Sequence, residues 1–114
     1  MAKDFKEITQ DISKYVAELK NNIPEVMAGF NSMSQAATKD AVLDKKTKEL
    51  IALAIGVSQR CDGCIGFHTK ALAKLGATKE EVAETLGMTI YMGGGPSLMY
   101  AADALRSFEQ FTQN

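Results

Sequence analysis

The chain has 114 residues, of which 46% are hydrophobic, enough to build one domain around one core. Lys and Arg number 13 and Asp and Glu 14, a formal net charge of −1, and no basic run exceeds Lys45–Lys46, so neither nucleic acid nor an anionic membrane is an expected partner. No apolar run approaches a membrane span, and Met1 to Glu7 lack the apolar core of a signal peptide; the expected location is the cytoplasm.

In chain order, Phe5, Ile8, Ile12, Tyr15, Val16 and Leu19 recur at three- and four-residue steps, which predicts an amphipathic helix. Asn21–Asn22 breaks it, and Pro24 suits the first turn of a second helix in which Ile23, Met27, Phe30 and Met33 continue the period. The small polar stretch from Ser34 to Asp40 reads as a loop or frayed turn. Asp44 is the expected N-cap of a third helix running through Val57. Leu50 to Ile55 in that helix is apolar all round, which places it at the centre of a bundle.

A fourth helix is expected from about Asp62 to Leu75, with Gly76 as its C′ residue. Thr78 and Glu81 then form a capping box for a fifth, with Val82, Leu86 and Ile90 inward. Gly93-Gly94-Gly95 breaks that helix, and Pro96 starts a sixth whose stripe is Leu98, Ala102, Leu105 and Phe108. The glycines cluster in the breaks and β-branched runs are absent, so no strand pattern competes. The expected fold is all-α: a compact single-domain bundle of about six helices spanning residues 1–114.

Chemistry concentrates in Cys61-Asp62-Gly63-Cys64-Ile65-Gly66-Phe67-His68, which holds both cysteines and the only histidine. Two cysteines placed at random over 114 positions fall three apart about once in sixty. On a helix that spacing puts both thiols on one side, and His68, four beyond Cys64, falls on the same side. Thiolates attack peroxides and disulfides, and a helix N-terminus stabilises them. His68 can take the thiol proton or pair with the thiolate. Glu49 is the acidic residue inside the third helix; if the third and fourth helices pair antiparallel, its carboxylate reaches the imidazole and orients it. Other readings of the same residues remain open. Cys61, Cys64, His68 and Glu49 are a permissible zinc set, and free cysteines are often buried as small apolar residues. A thioredoxin-type site needs a βαβ context that this chain lacks. Gly93 to Gly95 is a helix break, since no strand precedes it and no Lys follows.

Glu49, Cys61, Cys64 and His68 together resemble the E-x11-C-x-x-C-x-x-x-H pattern of the alkylhydroperoxidase-D-like group within the carboxymuconolactone decarboxylase superfamily. The flanks Lys48-Glu49-Leu50-Ile51-Ala52-Leu53-Ala54, His68-Thr69-Lys70-Ala71-Leu72 and Gly76-Ala77-Thr78 are also similar, and the resemblance extends over roughly residues 24 to 105. It implies a helical fold and reduction of hydroperoxides through a dithiol–disulfide cycle. In that cycle Cys64 attacks, Cys61 resolves, and His68 and Glu49 relay protons. No metal, flavin or haem is implied. Some members carry a histidine or serine just before the second cysteine, where this chain has Gly63. Decarboxylase members generally lack the cysteine pair.

The expectation is therefore a thiol-dependent peroxidase whose partners are a hydroperoxide and a dithiol or thioredoxin-like electron donor. The alternatives are a cofactor-independent lactone decarboxylase or isomerase using His68 and Glu49 as acid and base, and a non-enzymatic redox-sensing module. A homo-oligomer is also expected. The third helix is apolar on every side along its middle. Met88, Ile90, Tyr91, Met92, Met99 and Tyr100 spread over too many azimuths for one bundle stripe. The resemblance implies a trimer or a hexamer.

Overall fold

Side-chain caps set the boundaries of six helices. In the computed structural model, which describes residues 2–113, α1 (Phe5–Asn22) begins where the Asp4 carboxylate accepts the N–H groups of Lys6 and Glu7. Pro24 opens α2 (Pro24–Thr38). Asp44 caps α3 (Lys45–Ser58) by accepting the Thr47 N–H at 2.7 Å, and its hydrogen bonds with Thr47 hold its carboxyl below the usual value. Cys61 caps α4 (Asp62–Lys74). Thr78 and Glu81 form the expected capping box of α5 (Lys79–Gly93), with both reciprocal bonds present at 2.9 and 3.0 Å. Gly94 joins α5 to α6 (Gly95–Thr112).

The turn from α4 to α5 is a Schellman motif. Gly76 sits at φ 75°, where a Cβ would be strained. Its N–H reaches the Ala73 carbonyl at 3.2 Å, and the Ala77 N–H reaches that of Leu72 at 3.0 Å. Leu72 and Ala77 are both buried, so the turn also closes an apolar contact.

α4 is the central helix, packed on α1, α3 and α6. Phe5, Leu53, Val57, Ile65, Leu72 and Val82 are fully buried around it, each contributing about 1.5–3 kcal/mol if its side chain is wholly withdrawn from water. The α4–α6 contact carries a buried hydroxyl pair, Thr69 Oγ1 to Ser107 Oγ at 2.6 Å.

Three expectations need correction. Ser34 to Thr38 is not a loop but the last turn of α2, where the Thr38 hydroxyl bonds back to the Ser34 carbonyl; Gln35, Ala36 and Ala37 between them are good helix formers. The apolar stretch of the third helix is not enclosed on every side: Leu53 and Val57 face the core, but Ile51 is 44% and Ile55 52% exposed. An apolar circumference does not say which side the chain covers. The buried face of α6 is Ser97, Ala101, Ala104, Ser107 and Phe108, while Leu98 and Ala102 lie exposed. Small residues let α6 approach α4 closely, and that contact outweighs the larger leucine stripe.

α2 buries none of its residues and touches only α1 and α3. The radius of gyration, 14.4 Å, exceeds the ~13 Å of a compact domain of this length, as a poorly covered helix would make it. Among the described residues no helix is long and apolar enough to cross a membrane.

Candidate active site

The turn that ends α3 also places the first cysteine. Arg60 adopts φ 57°, the left-handed conformation that usually goes to glycine. Its N–H bonds the Val57 carbonyl and the Cys61 N–H bonds the Gly56 carbonyl, both at 3.0 Å, a second Schellman motif. Its last residue, Cys61, is at once the N-cap of α4.

Cys61 Sγ accepts the Cys64 N–H at 3.1 Å. Both sulfurs therefore sit at a helix N-terminus, among unpaired N–H groups and the positive end of the dipole. Cys61 and Cys64 are disulfide-bonded, with Cα atoms 5.2 Å apart, and each residue is only half-buried.

One turn after Cys64, the His68 ring reaches across to α3, where Nδ1 lies 2.6 Å from Glu49 Oε2. A separation that short marks a charge-assisted bond, with Nδ1–H donating to the carboxylate. Glu49 is 6% exposed, whereas the His68 side chain is 31% exposed. The buried carboxylate thus fixes the ring's tautomer and orientation, and Nε2 has no protein hydrogen bond among the described residues. The contacts Glu49–His68 and Gly56–Cys64 run in opposite chain directions, so α3 and α4 are antiparallel at this end. Glu49 thus meets His68, and Cys61 meets Cys64, with His68 one helical turn beyond Cys64.

Gly63 has its own environment. A Cβ there would lie 2.9 Å from Ile12 Cδ1, so α1 packs directly over this position.

Local sequence reasoning missed a second group. Lys3 Nζ contacts Asp62 Oδ1 at 3.0 Å and Asp103 Oδ2 at 2.9 Å, and Arg106 pairs with Asp103 at 2.7 Å. The Gln110 amide clamps the same segment, accepting the Phe5 N–H at 2.8 Å and donating to the Lys3 carbonyl at 2.9 Å. Lys3 lies 59 residues from Asp62 and 100 from Asp103, so no periodicity or motif could announce the contacts. Among the described residues no three His, Cys, Asp or Glu side chains converge as a metal site.

Residues 24–107 match the model of the carboxymuconolactone decarboxylase family. A solved carboxymuconolactone decarboxylase family protein of Legionella pneumophila superimposes with a TM-score of 0.94 at 60% identity, over 96% of this chain and 97% of that one. An uncharacterized protein of Cupriavidus necator is 40% identical over 109 residues, 96% of each chain. An alkyl hydroperoxide reductase AhpD of Mycobacteroides abscessus is 32% identical over 63 residues, 55% of this chain but 36% of that protein.

Proposed function

The chain belongs to the carboxymuconolactone decarboxylase family, and from that premise we propose that it is a thiol-dependent peroxidase of the alkylhydroperoxidase kind. The observation that carries the reading is the Glu49–His68 bond, 2.6 Å long, one helical turn from a cysteine already paired in a disulfide. In the reduced protein the Cys64 thiolate attacks the terminal oxygen of ROOH. The O–O bond breaks, His68 delivers a proton to the departing alkoxide, and the products are ROH and a sulfenic acid on Cys64. The Cys61 thiol then attacks that sulfur, forming the S–S bond and releasing water. An external dithiol or thioredoxin-like protein returns two electrons and two protons to the disulfide. Glu49 holds the ring in place and balances the imidazolium charge. Both cysteine roles and the relay are the family pattern carried onto these positions.

The test is peroxide consumption with a panel of donors, dihydrolipoamide and thioredoxin among them. Turnover should require both cysteines. Stoichiometric disulfide formation with no turnover on any donor would instead favour a redox-sensing role.

We also infer that the protein works as a homo-oligomer. Val26, Phe30 and Met33 project from α2 at 57–65% exposure, and Tyr15, Val16 and Leu19 continue that ridge on α1. On another side, a groove of about 320 Å³ between α3 and α5 is lined by Ala54, Ile55, Met88 and Met92. One chain thus carries both an unburied apolar ridge and an apolar groove, and copies of it satisfy both. Gln59, two residues before Cys61, also lines the groove, so a copy seated there lies beside the site.

A further inference from the structure

Asp62 stands between the two cysteines, and its carboxylate is the only negative charge inside the motif. Alone, it works against the chemistry proposed for the pair, because a carboxylate near a thiol disfavours the thiolate. We propose that Lys3 is a positioning residue of this site: its ammonium neutralises Asp62 and so keeps the attacking thiol ionisable. The inference rests on reading Cys61 and Cys64 as a redox pair.

The geometry is built rather than incidental. Lys3 Nζ bridges Asp62 and Asp103 at 3.0 and 2.9 Å, and lies 5.1 Å from the centroid of the Tyr100 ring, within cation–π range. Gln110 fixes its backbone by donating to the Lys3 carbonyl and accepting the Phe5 N–H two residues on, and Asp103 is fixed in turn by Arg106. A flexible lysine is thereby held at both ends, which lowers the entropy cost of the pairing. Hydrogen bonds to Asp103 and then Asp62 hold its ammonium above the ordinary lysine value, so it stays charged wherever the thiols titrate.

The other charges around the motif come from α3, α6 and the turn before α4. Glu49 on α3 is matched by His68, and Asp103 on α6 by Arg106. Arg60 precedes the motif and is exposed. α1 meets the motif through Ile12, an apolar contact at Gly63. Asp62 has Lys3 as its one ion-pair partner among the described residues.

The experiment reads thiol acidity, not turnover, so it stands apart from the peroxidase assay. The rate at which iodoacetamide alkylates the faster thiol of the reduced protein is followed against pH. In Lys3→Met the midpoint should rise by about half a unit to one unit, slowing alkylation about threefold to tenfold below it. Asp62→Asn alone should move the midpoint down. Lys3→Met/Asp62→Asn should return it to the wild-type position, because the charge that needed neutralising is gone. A structural clamp would not be rescued in this way. An unchanged midpoint in folded Lys3→Met, or a double variant that stays with the single one, overturns the proposal. If Lys3→Met does not fold, Asp62→Asn decides: a midpoint that fails to fall overturns it.

Discussion

Gly56 faces Cys64 so closely that a Cβ at position 56 would lie 2.9 Å from the Cys64 Cβ. Glycine inside a helix costs about 1 kcal/mol against alanine, so its presence in the buried last turn of α3 reflects the approach of α4. Gly56→Ala should therefore lower stability by ~1 kcal/mol net, overpacking outweighing the gain in helix propensity. Thermal unfolding at fixed protein concentration checks this, and an increase in midpoint would show that α4 yields without cost.

Cys64 should carry the sulfenic acid. When Cys61→Ser is treated with one equivalent of hydroperoxide, a dimedone adduct should map to Cys64. The geometry gives the converse outcome a specific meaning. Cys61 Sγ, not Cys64 Sγ, accepts the helix-terminal N–H at 3.1 Å, so an adduct found only on Cys61, in Cys64→Ser, would mean that this bond selects the nucleophile and that the roles are reversed.

His68→Ala and Glu49→Gln should each reduce peroxide turnover by about 10²–10⁴-fold while leaving the helical spectrum intact. Their combination should lose less than the product of the two, because the 2.6 Å bond makes them one unit. Glu49→Gln with wild-type kcat/KM would remove that carboxylate from the mechanism.

Arg60→Gly should stabilise the protein by roughly 0.5–1 kcal/mol, since φ 57° strains any residue with a Cβ. Chemical denaturation compares the two proteins directly. A loss of stability would mean that the Arg60 side chain makes contacts worth more than the strain.

Light scattering at micromolar concentration should return a mass of three or six chains. Phe30→Glu, on the α2 ridge where Phe30 is 57% exposed, should lower that mass. A monomer mass for the wild-type protein would sink the assembly.

Much of this molecule was legible in the chain itself. Its caps are local events: Asp44, the Thr78–Glu81 box and Gly76 each depend on residues within about five positions, and all three stand where the spacing put them. The pairings of Glu49 with His68 and of Cys61 with Cys64 were legible for a similar reason. Three of these residues share one helix face, and Glu49 has a fixed offset from them once a tight turn makes α3 and α4 antiparallel. Arg60 was not legible, because the left-handed turn it forms carries no glycine to mark it.

What tertiary structure alone decided is which face of each helix is covered. Periodicity names an apolar stripe but not its partner, and on α6 the covered face is Ala101, Ala104 and Ser107, the last bonded to Thr69 of α4, rather than Leu98 and Ala102. It also decided the environment of the cysteines. Ile12 lies over Gly63, and Lys3 reaches Asp62 and Asp103 across 59 and 100 residues. Contacts at such separations leave no period or spacing in the sequence; they exist because burying Phe5 beside α4 brings the start of the chain to the end of α4 where the cysteines lie.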